Sequence, residues 1–195
     1  MRALVVYAHP CPESFNASVR DAAIKSLEGA GHEVRLLDLY AIKFNPVMGM
    51  DERRDYHERD KNEAPVAEHI DHVKWAEMLI FIYPTWWFGL PAILKGWLDR
   101  VFIPHVTFSL PDGQGPLEGK LTNISKIAII TTCGASFLAT KFIGEPGRRT
   151  IERGLRHLCM PKCKTLYLAH YKMDTSTDES RRRFLTKVER SLSKY

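Results

Sequence analysis

Three short stretches carry side chains whose types and spacing could do chemistry. "HPCPESFN", His9 to Asn16, sets a histidine and two helix-capping residue types directly ahead of a helical pattern. Ser14 and Asn16 suit an N-cap, and the amides at a helix N-terminus form a ready site for an anion such as phosphate. Capping alone accounts for Ser14 and Asn16 but gives no reason for His9 or the apolar Phe15. The stretch has neither the Gly-x-Gly-x-x-Gly of a dinucleotide fold nor the Gly-x-x-x-x-Gly-Lys-Ser/Thr of an ATP loop. "PTWWFG", Pro84 to Gly89, puts Trp86, Trp87 and Phe88 in a row. They could cap the core at a sheet edge. Adjacent side chains diverge, however, so at least one must lie at the surface unless a ligand or partner covers it. A planar heteroaromatic ring would be covered well by such a wall, with N–H groups of the same loop meeting its heteroatoms. "TTCGAS", Thr131 to Ser136, adds hydroxyls and one glycine that permits close backbone approach. Alone, that composition suits many turns.

Two further groupings point to less. Cys159-x-x-x-Cys163 with His157 nearby resembles a zinc half-site, but the spacing is unusual and no second half exists, so no metal is expected. Arg181-Arg182-Arg183 sits in a helical pattern and reads as a solvated face.

The elements that must position the three stretches follow from the hydrophobic pattern. Apolar runs at 2–8, 78–83 and 126–131, an alternating run at 32–39 and a last one at 165–169 read as strands. Helical patterns fall at about 14–27, 66–77, 90–102, 148–158 and 180–193, with a polar excursion at 41–63 that carries a short helix. Strands alternating with helices imply βαβ units and a parallel sheet covered on both faces. The charged 33–39 run suits an edge, so the expected fold is an α/β, doubly wound, five-stranded parallel sheet of order 2-1-3-4-5. In that fold ligands bind beyond the carboxyl ends of the strands, near the switch point, where residues 9–16, 84–89 and 131–137 all fall. An anion site, an aromatic wall and a polar cradle together suit a mononucleotide with a flat ring, a flavin.

Bulk properties agree with a single domain over residues 1–195, with 45% hydrophobic and 26% charged residues. No apolar run reaches the roughly 18 residues that span a bilayer, so no membrane insertion is expected. The first residues, Met1 to Tyr7, read as a strand rather than a signal peptide. Four scattered cysteines argue against a disulfide framework and for a reducing, cytoplasmic setting. The net charge of +5 comes from Lys and Arg interspersed with acids, which does not favour nucleic acid.

The chain resembles the flavodoxin-like NAD(P)H:quinone oxidoreductase family, which includes the mammalian quinone reductases (DT-diaphorases) and bacterial relatives. "AHPCPESFN" (Ala8–Asn16), "YPTWWFGLPAILKGWLDRVF" (Tyr83–Phe102), "GPLEGK" (Gly115–Lys120) and "TTCG" (Thr131–Gly134) carry the resemblance, in order and spacing, over most of residues 3–160. It implies two-electron, ping-pong hydride transfer from NAD(P)H through the flavin to a quinone-like acceptor. It also implies that His9, Phe15 and Asn16, in the loop that Ser14 caps, hold the phosphate and ribosyl side. Pro84, Thr85, Trp86, Trp87 and Phe88 would run along the isoalloxazine, with Thr131, Thr132, Cys133 and Gly134 on its other side. His69 would stand near a diphosphate, and Arg181 or Arg182 near an adenosine end, if the cofactor is FAD rather than FMN; length and the first loop lean toward FAD. Where the mammalian enzymes place a Tyr and a His to manage charge on the reduced ring, this chain has Ala139 and Glu145, which leaves Lys141 as the expected replacement. The family implies a homodimer with the flavin near the interface, where Trp97 could serve as interface or as core. Two other functions share the fold: an electron-carrier flavodoxin, which the basic charge and His-Pro-x-Pro loop disfavour, and a soluble ancillary subunit of a potassium-efflux system.

Overall fold

The computed structural model describes residues 1–110 and 115–195. Five parallel strands form one sheet: β1 (Arg2–Tyr7), β2 (Glu33–Asp38), β3 (Met78–Pro84), β6 (Lys126–Thr132) and β7 (Lys164–His170). Their order is β2-β1-β3-β6-β7, the expected 2-1-3-4-5 arrangement with the charged strand at an edge. The two remaining strands, β4 (Phe108–Ser109) and β5 (Glu118–Gly119), pair as a small antiparallel ribbon outside this sheet.

Strand alternation divides the core in two. Leu4 and Val6 of β1 and Leu79 and Phe81 of β3 face one layer, where α3 (Ala67–Trp75) contributes Ile70 and Val73 and α4 (Ala92–Val101) contributes Leu94 and Trp97. Ala3, Val5, Ile80 and Ile82 face the other, against Val19, Ala23 and Leu27 of α1 (Phe15–Gly29) and Phe184, Val188 and Leu192 of α7 (Asp178–Leu192). β3 is buried along its whole length, as its unbroken apolar sequence requires. Trp97 is fully buried, which settles its alternatives for the core. The 41–63 excursion carries α2 (Met50–Arg54), whose Glu52 pairs with Arg100 of α4 at 2.8 Å.

The sequence pattern and the fold part company between residues 137 and 158. A short helix not expected from the pattern, α5 (Phe137–Ile143), is capped by Ser136 Oγ accepting from Ala139 N–H at 3.3 Å and stopped by Gly144 at φ 93°. Instead of one helix over 148–158 there is a single turn, α6 (Pro146–Arg149), a π turn over Thr150–Gly154 and a 3₁₀ turn over Leu155–Leu158. Glycine within the run weakens a regular helix, and the wider and tighter turns redirect the chain to keep Ile151, Leu155 and Leu158 buried.

Candidate functional site

The carboxyl ends of β1, β3 and β6 meet at the switch point, and each loop contributes a wall. A cavity of about 410 Å3 opens there, lined by His9, Ser14, Phe15 and Asn16 of the first loop, Pro84, Thr85 and Trp86 of the second, and Thr132 and Gly134 of the third. An adjoining depression of about 290 Å3 shares Thr85 and Gly134 and adds Trp87, Phe88 and Cys133. The three stretches singled out by residue type therefore form one continuous groove.

The first loop caps α1 as its residue types require. Ser14 Oγ accepts from Ala17 N–H at 3.2 Å, which aims the positive end of a fifteen-residue helix at the cavity. His9 Nδ1 accepts from Cys11 N–H at 3.0 Å. Burial holds this imidazole below its ordinary value, so it is neutral at neutral pH with its proton on Nε2, a donor. Asn16 Nδ2 donates to Thr132 Oγ1 at 2.8 Å and ties the first loop to the third. Its Oδ1 is buried with no hydrogen-bond partner among the described residues, as is Nδ1 of the neighbouring His170, whose ring contacts Phe15 edge-on at 5.6 Å. A buried acceptor without a donor costs on the order of 1–3 kcal/mol, so Asn16 is poised for a hydroxyl or N–H of a ligand.

The second loop is a tight turn. Trp86 and Gly89 exchange backbone hydrogen bonds, at 3.3 and 2.9 Å, around Trp87 and Phe88 at φ 48° and 58°. Those two positions have the φ values of a type I′ turn, where Asn-Gly is the ordinary choice. Trp87 is 96% exposed and Trp86 43% exposed, while Tyr83 just before them is 1% exposed. The N–H groups of Trp87 and Phe88 have no partner among the described residues. Strain of about 1–3 kcal/mol per residue persists where surroundings fix it and function uses it. Here it presents a large indole and two free donors at the groove.

The third loop supplies close approach. A Cβ on Gly134 would lie 2.5 Å from Asp174 Oδ2, so only glycine admits that carboxylate. Thr131 is turned inward, hydrogen-bonding Tyr83 C=O at 2.7 Å and Thr85 Oγ1 at 2.8 Å, and stands behind the groove rather than in it. Cys133 is buried, with Sγ 3.6 Å from Thr140 Oγ1.

A family model described as a flavodoxin-like fold matches residues 1–190. Mouse (Mus musculus) ribosyldihydronicotinamide dehydrogenase (quinone) is 32% identical, over 93% of this chain and 86% of the relative. The chain belongs to the flavodoxin-like quinone oxidoreductase family. Among solved structures, Smu.1420 from Streptococcus mutans UA159 superposes with a TM-score of 0.86 at 35% identity over 100% of both chains. An NAD(P)H:quinone oxidoreductase from Methanothermobacter marburgensis shares the fold with a TM-score of 0.82 at 24% identity, over 99% of this chain and 98% of that one.

Besides Thr131, three expected site residues lie outside the groove's lining. Lys141 lines neither part of the groove: its ammonium pairs with Glu145, four residues on and just past the end of α5, and Glu145, only 8% exposed, also takes Arg148 at 3.2 Å. His69 is absent from the groove as well, because Trp97 Nε1 donates to its Nδ1 at 3.3 Å and Phe44 packs edge-on against it at 4.9 Å. Arg181 sits beyond the groove's lining, with Nε donating to Ser176 Oγ at 2.8 Å. Met173 and Asp174, which complete the cavity, were not among the expected residues. They come from the segment after β7, which folds back so that Met173 N–H donates to Cys133 C=O at 3.0 Å and Lys172 N–H to Ala135 C=O at 3.1 Å. The polar run after the last strand, at its carboxyl end, was the available signal.

Proposed function

We propose that the protein is a flavin-dependent NAD(P)H oxidoreductase that delivers two electrons to a quinone-like acceptor. The observation that carries this reading is the groove itself, with a strained, 96% exposed tryptophan beside a capped helix N-terminus and an unpaired buried Asn16 Oδ1. These residues fit a flavin nucleotide: α1 and His9 for its phosphate, Asn16 for its ribityl side, and Trp86, Trp87 and Phe88 for its ring. When bound, the flavin would accept a hydride from NAD(P)H and pass it to the acceptor.

The chain's own residues then have three tasks. The α1 terminus and the neutral His9 bind the anionic end with fixed N–H donors. The free amides of Trp87 and Phe88 meet ring heteroatoms that gain electron density on reduction. The tight turn and Gly134 leave one side of the groove open for donor and acceptor in turn, and no protein nucleophile is needed. We assign the cofactor as FAD, with FMN the alternative, and the assembly as a cytoplasmic homodimer whose contact lies near the flavin. Exposed Trp87 in the second loop and exposed Leu138 and Phe142 on α5, which follows the third loop, support that contact, since large apolar side chains are costly to leave in water. Among the described residues no helix is long and apolar enough to cross a membrane. NADPH- and NADH-dependent menadione reduction by flavin-loaded protein tests the reading. Turnover is expected, and its absence with flavin demonstrably bound would overturn it; the mass of the extracted cofactor decides between FAD and FMN.

A further inference from the structure

Among the described residues one charged side chain lines the groove, and it is an acid. Asp174, with Thr85 and Gly134, belongs to both the cavity of about 410 Å3 and the depression of about 290 Å3, so its carboxylate stands at the seam between them. No Lys or Arg among the described residues lines either part, and His9 is neutral. The α1 terminus offers a ligand's phosphate the dipoles of its amides rather than a full charge, so nothing in the lining neutralises Asp174.

The backbone fixes where this acid sits. Lys172 takes φ 56° and opens a 3₁₀ turn over Met173–Thr175. Met173 N–H ties the turn to the third loop through Cys133 C=O at 3.0 Å, and Ser176 N–H closes it on Met173 C=O at 3.1 Å. Asp174 Oδ2 then lies 2.5 Å from the place a Cβ would take on residue 134, where only glycine admits it. Side chains nearby in the sequence are engaged elsewhere. Tyr171 Oη donates to Glu145 Oε1 at 3.5 Å, Thr175 Oγ1 to Lys172 C=O at 3.4 Å, and Arg181 Nε to Ser176 Oγ at 2.8 Å. Among the described residues none bonds to the exposed Asp174 carboxylate or pairs with it. Backbone strain persists where function uses it, and here a positive-φ lysine and a glycine aim an unpaired acid at the groove.

We propose that Asp174 selects the electron acceptor by charge, so that the groove takes neutral or cationic quinone-like acceptors and disfavours anionic ones. The inference rests on the flavin reading above and names the class of substrate that the same groove admits. A small acceptor lying in the ring-side depression brings any charge it carries close to the carboxylate, where one like or unlike charge shifts a rate constant severalfold. NAD(P)H escapes this filter because its phosphates stand away from its uncharged reacting ring. Repulsion of the wrong substrate sets specificity without adding a contact to the right one.

The test compares three acceptors built on one ring system: neutral menadione, a naphthoquinone sulfonate and a naphthoquinone carrying a trimethylammonium group. Each is assayed by NADPH-dependent turnover of flavin-loaded protein at low salt. In Asp174→Asn the kcat/KM ratio of sulfonate to menadione should rise about fivefold, and that of ammonium to menadione should fall about fivefold. Asp174→Glu keeps the charge and should hold both ratios within about twofold of the wild type. In the wild type, salt at about 1 M should move both ratios toward those of Asp174→Asn, which a preference for size would not do. The proposal is overturned if neither ratio moves in Asp174→Asn, if both move in the same direction, or if the wild-type ratios ignore salt. Absence of menadione turnover by the flavin-loaded wild type would instead sink the oxidoreductase reading. The same three comparisons then pass to acceptor dissociation constants, read from quenching of bound-flavin fluorescence.

Discussion

Trp87 and Trp97 stand in one apolar stretch, and the structure treats them as opposites. Trp97 is fully buried in α4, its indole N–H donating to His69 and its ring packed edge-on against Phe81 at 6.3 Å and Phe102 at 5.6 Å. Trp87 is 96% exposed, at φ 48°, with no N–H partner among the described residues. Position decides the difference. α4 lies over the face of β3, where its apolar side must be covered, while the 86–89 turn lies past the strand's carboxyl end. Apolar bulk in the first place builds the core. In the second it costs stability, a cost that a ligand ring laid against it would offset on the proposed reading.

Substitutions can break this contrast, and the largest effect belongs to the core. Trp97→Ala should lower the unfolding free energy by about 3–5 kcal/mol, read by chemical denaturation, through the cavity it leaves and the lost partner for His69. A loss below about 1 kcal/mol would contradict the assignment of Trp97 to the core. Gly134→Ala acts at the rim. Its methyl displaces the Asp174 carboxylate, and flavin affinity should fall about tenfold, or about 1.4 kcal/mol, in a flavin titration, with little change in stability. Acidification is the mildest and reaches both regions. Burial holds His9 at the rim, His170 behind it against Phe15, and half-buried His69 beside Trp97 below the ordinary imidazole value. The unfolded chain then takes up protons first, so stability is full above about pH 6.5 and declines as pH falls through the lowered folded values. Denaturation midpoints at about pH 7 and about pH 5 check the sign, and a midpoint that rose on acidification would contradict it.

The contrast also shows which features could be read from the sequence. The strands with unbroken apolar runs, β1, β3 and β6, and the charged edge β2 follow from pattern, because burial on two faces or one leaves a different alternation. The three rim loops followed from the sheet order without any side-chain geometry. Residues 146–158 defeated the pattern because three kinds of helical turn share similar apolar spacing, and only packing selects among them. Lys141 lies outside the groove's lining for a legible reason: Glu145 stands four residues on, just past the end of α5, and takes its ammonium. Met173 and Asp174 escaped because the segment carrying them leaves from β7, an edge strand not counted at the switch point. Its return depends on backbone bonds to Cys133 and Ala135 that residue types do not encode.

The central claim is that the exposed aromatic turn exists to hold a flavin. Titrating cofactor-free wild type and Trp87→Ala with FAD and with FMN, followed by flavin fluorescence, tests it most directly. The account predicts binding by the wild type, affinity about tenfold weaker in Trp87→Ala, and an unfolding free energy unchanged within about 0.5 kcal/mol. Equal affinity in the two proteins, or a loss of affinity that only tracks a loss of folding, would contradict it.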